Sequence, residues 1–161
     1  MSLLIKKIKG FTIIELMVTF VILAVLAAMA APLAKVAVKR TKEQELRTSL
    51  RQIRDAIDAY KLISDEGRIV KNIGDSGYPE SLQALVRGVE DIKDPKKERI
   101  YFLRKVPKDP MYIGKSTENE ETWGIRSYQS PPDKPEPGLD VFDVYSLSPD
   151  AGLNEIPYNE W

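Results

Sequence analysis

The sequence predicts an α+β fold in which one long helix begins in a membrane and ends on a small domain. Residues 11–34 are apolar at all but four positions, and as a helix this run of about 24 residues would be about 36 Å long, enough to span a bilayer. Residues 35–63 continue with a helical repeat of apolar positions. Two later segments, residues 121–128 and 139–147, have the aromatic and β-branched content of β-strands. A long helix, a short helix and a small antiparallel sheet define the α+β class.

The long helix is predicted to run from Phe11 to about Ile63, with a bend at Pro32 because proline lacks an amide proton and crowds the preceding turn. Its second half carries one apolar stripe at spacings of four and three residues, formed by Leu46, Leu50, Ile53, Ile57 and Tyr60. Three i,i+4 charge pairs are expected on its other faces: Glu43–Arg47, Arg51–Asp55 and Arg54–Asp58. The stripe lasts barely two heptads, which is short for a coiled coil, so we expect it to pack on the chain's own domain.

The later elements are predicted from their turn residues. Residues 65–77 contain three glycines and are predicted to be a loop. Residues 78–88 are predicted to form a short helix, with Pro79 in its first turn and Gly88 just past its end. Residues 100–106 are strand-like and are ended by the prolines of "VPKDP". A segment with four prolines, "SPPDKPEPG", separates the last two strands as a long turn.

The composition excludes several classes of function. The chain has 161 residues, with 24 Lys and Arg, 24 Asp and Glu, and neither histidine nor cysteine. Without those two residue types there is no Ser-His-Asp or Cys-His catalysis, no usual zinc ligand set and no disulfide framework. We find no glycine-rich phosphate loop and no basic patch interleaved with aromatic residues, so no nucleic-acid partner is expected. The sequence therefore predicts a protein that is not an enzyme.

Glu15 is the residue of the apolar run that needs an explanation. A carboxylate at that depth costs about 2.5–3.5 kcal/mol on insertion scales, which marks it as a candidate functional residue. A secretory signal peptide, with basic Lys6, Lys7 and Lys9 and a cleavage site at Ala28-Met29-Ala30, is one alternative. The apolar run is longer than such signals, and Glu15 interrupts it. A plain membrane anchor with an incidental glutamate is the other alternative.

The stretch Lys9-Gly10-Phe11-Thr12-Ile13-Ile14-Glu15 resembles the processing site of type IV pilins and type II secretion pseudopilins. The resemblance implies that a prepilin peptidase removes the leader, residues 1–10, by cutting between Gly10 and Phe11, and that the new amine of Phe11 is methylated. Residues 11–34 then stay as the transmembrane half of the helix, and residues 35–161 form a pilin-like domain. In an assembled filament the Phe11 amine of one subunit would face Glu15 of a neighbour, which recovers much of the cost of the buried carboxylate. Glu15 is thus identified as an assembly residue.

The order of later landmarks resembles the major, G-type pseudopilin. These landmarks are "YPESLQALV", "LRKVPKDP", "WGIRSY", "DVFDVYSLSPD" and the final Trp161. The resemblance implies the pilin fold, a single-pass inner-membrane protein with a periplasmic domain, and a short filament that drives secretion across the outer membrane. Its partners would be copies of itself, other pseudopilins, the peptidase and an inner-membrane assembly platform. The alternatives are a pilin of a surface filament for adhesion, motility or DNA uptake, and a signal-anchored binding protein of the envelope.

The same resemblance implies a calcium site in the loop after the last strand. Calcium takes six to eight oxygen ligands, which acidic side chains, amides and main-chain carbonyls supply. The candidate ligands are Asp150, a carbonyl at Leu147, and Asn154 or Glu155. The loop is short and lacks paired aspartates, so an ordinary acidic turn is the alternative.

Overall fold

The computed structural model describes residues 10–161, apart from the side chains at positions 30 and 31. The predicted leader up to Lys9 therefore lies outside the described residues. The chain divides into two units, Met1–Lys39 and Arg40–Trp161. Helix α1, Ile13–Asp65, contributes residues to both.

Helix α1 begins and ends close to the predicted positions. It starts two residues later than Phe11, because Thr12 caps it, and it continues through Pro32 without a break in secondary structure. At its end the amide of Gly67 donates to Ser64 and that of Arg68 donates to Ile63, the double hydrogen bond of a Schellman motif. Gly67 has a φ of 67°, which a glycine adopts at little cost.

In the first unit the large apolar side chains of α1 are exposed. Phe20, Val21 and Leu23 are typical, and each shows more than half of its surface. Among the described residues one helix, α1, is long and apolar enough to cross a membrane, judged by length and composition alone. An apolar helix surface without cover in the monomer needs lipid or another helix around it.

In the second unit the predicted stripe of α1 forms one wall of the core. Leu46, Leu50, Ile53 and Ile57 are all buried, and Tyr60 packs against them at the edge. The opposite wall comes from the short second helix, the strands and the loops: Leu82, Leu85, Leu103, Val106, Trp123, Val141, Val144 and Tyr158. The prediction that this half of α1 packs on its own domain is confirmed.

Helix α2, Leu82–Arg87, is shorter than predicted at its start. The hydroxyl of Ser81 accepts from the amide of Ala84 and caps the helix, so Pro79 lies outside it and not in its first turn. Pro79 instead uses its carbonyl to accept from the amide of Val141, at 2.8 Å. Gly88 does follow the helix, with a φ of 69°, and its amide donates a hydrogen bond to the carbonyl of Ala84.

The strands form two separate antiparallel pairs and not one sheet. Strands β1, Val89–Glu90, and β2, Arg99–Ile100, make a short hairpin, and β3, Trp123–Arg126, pairs with β4, Asp143–Ser146. The predicted strand over residues 100–106 extends only to Ile100. Beyond it the amides of Phe102 and Leu103 both donate to the carbonyl of Leu85 in α2, so no strand partner is available to them. The architecture is α+β, as predicted, and is consistent with the pilin fold.

Arg54 on α1 pairs across the fold and not along the helix. Arg54 donates from Nε to Asp143 Oδ1 at 2.8 Å and from Nη2 to the carbonyl of Val144 at 3.1 Å, and not to Asp58 as predicted. Asp143 and Val144 on β4 together accept two part-buried hydrogen bonds from the guanidinium. An exposed i+4 carboxylate does not offer both. This contact fastens α1 to β4.

Candidate processing and assembly site

The predicted cleavage position lies just before α1. Gly10, Phe11 and Thr12 precede the helix without regular structure, and Phe11 is 82% exposed. A Cβ added at Gly10 would meet no atom of the described residues within 4 Å. Residues 10–161 therefore place no steric demand for glycine at this position.

Thr12 and Glu15 form a reciprocal capping box at the start of α1. The Thr12 amide donates to Glu15 Oε2 at 3.2 Å, and the Glu15 amide donates to Thr12 Oγ1 at 3.3 Å. The Thr12 hydroxyl also donates to Glu15 Oε2, at 3.3 Å. Both residues are exposed, and together they satisfy amides at a helix start that have no partner within the helix.

Glu15 thus has a role within the single chain that the charge-pairing interpretation did not include. Its carboxylate lies beside the amide of Thr12, one residue from the predicted new amine at Phe11. A negative charge in the first turn also complements the helix dipole. The sequence contained the signal for this contact: a Thr-x-x-Glu pattern directly before an apolar helix is a capping box.

The N-terminal segment matches a known family model. Residues 5–31 match the prokaryotic N-terminal methylation motif, over a range that includes Gly10, Phe11 and Glu15. The match indicates a type IV pilin-like N-terminus with a prepilin leader. No curated protein and no solved structure matches the chain.

The four candidate calcium ligands are all exposed, and part of their donor set is already engaged. Asn154 Oδ1 accepts from the amide of Ile156, and the carbonyl of Asp150 accepts from the amide of Tyr158. Glu155 has a φ of 64° and lies in a tight turn in which its amide donates a hydrogen bond to the carbonyl of Gly152. Within residues 10–161, no three acidic side chains converge into a group that could hold a metal ion. The loop offers two carboxylates where calcium needs six to eight oxygens, so it is a poor fit for the ion, and calcium binding stays a prediction.

The C-terminal loop is held instead by Glu43, which the sequence predicted only as a partner of Arg47. Glu43 on α1 is 8% exposed, and its Oε1 accepts from the amide of Leu153 at 2.7 Å and from the hydroxyl of Tyr158 at 3.0 Å. Burial, together with the Glu43 carboxylate, raises the pKa of the Tyr158 phenol above its usual range. We call this contact the Glu43 anchor. Nothing in the sequence indicates it, because its partners lie 110 and 115 residues away.

Trp161 closes the same loop from outside. Its indole packs edge-on against Tyr158 with ring centroids 5.0 Å apart, and its Nε1 donates to the carbonyl of Ile156. The guanidinium of Arg47 lies 4.1 Å from the centre of the indole, where a cation–π contact forms. Arg47 therefore stabilises the loop and is not the partner of Glu43 that its i,i+4 spacing predicted.

Proposed function

We propose that this chain is a structural subunit of a type II secretion pseudopilus, which polymerises through α1 into a short periplasmic filament. The observation that carries the proposal is the motif match over residues 5–31, which includes a helix start capped by a Thr12–Glu15 pair. The exposed apolar surface of α1 supports it, since such a helix needs lipid before assembly and neighbouring helices afterwards.

In this proposal a peptidase cuts between Gly10 and Phe11, and the Phe11 amine is methylated. The open space around Gly10 fits a requirement imposed by an enzyme and not by the fold. The domain, from residue 35 onward, would face the periplasm, and the assembly platform would take subunits from the inner membrane.

Glu15 would exchange partners when the filament forms. In the single chain its carboxylate accepts from Thr12, and both lie at the surface. In a filament core that is dry, the carboxylate gains from a cation at close range, and the Phe11 amine of a neighbouring subunit is the cation that the resemblance supplies. The capping box keeps the carboxylate at the helix start, where that amine would arrive.

The test combines processing with imaging in cells that make this chain as their only pilin-like subunit. The intact mass of the extracted protein should correspond to a chain that begins at a methylated Phe11, and a Gly10→Leu variant should keep the precursor mass. Labelled filaments should lie in the periplasm. Filaments on the cell surface would favour the surface pilin, and a chain that begins at Ala31 or forms no filament would contradict the proposal.

A further inference from the structure

Two segments of the domain carry opposite charge. Residues 92–105, which include strand β2, contain six Lys and Arg and two Asp and Glu; we call this the basic hairpin surface. Residues 147–161 contain three acidic residues, Asp150, Glu155 and Glu160, and no Lys or Arg; we call this the acidic loop surface.

Each surface also leaves apolar side chains in water. Ile92 and Tyr101 are 47% and 64% exposed on the basic hairpin surface. Leu147 and Leu153 are 45% and 42% exposed on the acidic loop surface. Exposed apolar residues framed by charged residues are typical of a surface that another protein covers.

The two surfaces are attached to opposite ends of the domain's part of α1. The acidic loop surface is held at Glu43 through Leu153 and Tyr158. The basic hairpin surface is held just past the helix end, where the amide of Ile92 donates to the carbonyl of Arg68 and Lys93 Nζ donates to the carbonyl of Glu66. From Glu43 to the helix end at Asp65, α1 rises about 33 Å at 1.5 Å per residue.

We infer that the basic hairpin surface of one copy docks on the acidic loop surface of another copy further along the filament. A second copy is the occupant because it presents the complementary charge at the far end of the same helix. Such a contact joins two different surfaces, so it repeats from copy to copy and builds a filament or a ring. The inference rests on the proposed polymer and adds an end-to-end contact between domains to the packing of α1.

The exposed charges of this contact are open to substitution without loss of a described bond. The side chains of Lys96, Lys97, Asp150 and Glu155 are exposed and make no side-chain hydrogen bond or ion pair within residues 10–161. Glu160 is less suitable, since it lines a groove that also contains Arg47 and Arg51.

The test reverses the charge of one surface at a time in the full-length chain. Lys96→Glu with Lys97→Asp, and separately Asp150→Lys with Glu155→Lys, should each lower filament yield roughly tenfold or more, because like charges then face each other. The two variants made together in one cell should alternate and restore the yield. Lys108→Glu with Lys115→Glu, and Asp133→Lys with Glu118→Lys, make equal charge changes at exposed positions outside the two surfaces and should leave the yield unchanged.

A disulfide reports the contact directly, since the natural chain contains no cysteine. A chain with Lys96→Cys and Glu155→Cys should form a ladder of cross-linked copies, because attachment points about 33 Å apart rule out a bond within one chain. Filaments without cross-links, or a mixture of reversal variants that does not recover, would overturn this contact and leave the proposed function standing. Cross-links without filaments would support the contact and refute the filament, and the loss of both would refute both. Binding of the hairpin to anionic vesicles, with no effect of the acidic-loop reversal on assembly, would show a lipid surface and overturn the inference.

Discussion

The carboxylate of Glu43 on α1 accepts a hydrogen bond of 3.0 Å from the hydroxyl of Tyr158, 115 residues further along the chain. The same oxygen accepts from the amide of Leu153, so one buried side chain fixes the C-terminal loop at two points. Because the Glu43 carboxylate is buried, a change that leaves the Leu153 amide without an acceptor lowers the stability of the fold twice: the hydrogen bond is lost, and the amide stays desolvated.

Glu43→Ala should therefore lower the free energy of unfolding by about 2–3 kcal/mol, measured by denaturant titration of the full-length chain in detergent. Tyr158→Phe removes only the hydroxyl and should cost about 1 kcal/mol. The double variant should cost less than the sum of the two, since both changes break one shared bond. Strict additivity would show that Glu43 and Tyr158 act independently. Glu45→Ala, an exposed change on the same helix, is the control.

Glu15→Gln should separate the two roles of Glu15. The amide oxygen of glutamine can still accept from Thr12, so the helix start is preserved, but the charge that would pair with the Phe11 amine is lost. We expect processing as in the natural chain and a filament yield as low as that of Glu15→Ala. Thr12→Val removes the hydroxyl of the box and keeps the charge, and it should assemble better than either. A normal yield from Glu15→Gln would show that capping, and not charge, is what the filament needs.

Asp91 gives the domain a specific sensitivity to acid. Its carboxylate accepts from Arg68 Nε at 3.0 Å and from the amide of Lys93 at 3.0 Å, and the bonds to Arg68 are the main reason that its pKa lies below the usual value. A carboxyl whose pKa is lowered by folding contributes stability above its unfolded pKa of about 3.9, and this stability is lost as the pH falls through the folded value. The melting temperature should therefore fall below about pH 4, and Asp91→Asn should melt lower near pH 7 and lose less on acidification. An equal acid response in the variant would assign the effect to other carboxyls.

Calcium binding by the C-terminal loop is tested by melting. If Asp150, Asn154 and Glu155 hold the ion, the stabilisation should reach about 2.7 kcal/mol at a hundredfold excess over Kd and should be absent with a chelator. Magnesium should have little effect, because it demands a tighter octahedral shell, and Asp150→Ala should abolish the calcium response. A melting temperature indifferent to calcium and chelator would show that the Glu43 anchor closes the loop without metal.

Periodic and capped elements were predictable from the sequence, and contacts between distant residues were not. The stripe from Leu46 to Ile57 is buried as predicted, since helical spacing alone places those residues on one face. The end of α1, predicted near Ile63, lies two residues later at Asp65. Gly88 directly follows α2, as predicted. Each of these features is specified by neighbours a few positions away.

The errors have a common physical cause. Residues 102 and 103 have strand-like side chains, yet their amides bond to α2, because tertiary contacts decide which carbonyl is nearest. Arg54 pairs with Asp143 for the same reason. In the candidate site, the cleavage position and the role of Glu15 are predicted from a local motif. The contacts of Glu43 are not predictable in this way, because its partners lie 110 and 115 residues away.

The Glu43 anchor also affects the order in which the domain folds during synthesis. Synthesis proceeds from the N-terminus, so α1 emerges with its carboxylate long before Tyr158 exists. Contacts between residues so far apart in the chain form slowly. Until they form, the Glu43 carboxylate is hydrated and the first turns of α1 within the domain are not covered by the C-terminal loop. The hydrogen bond between Glu43 and Tyr158 can therefore form only after Tyr158 has been synthesised, 115 residues later than Glu43.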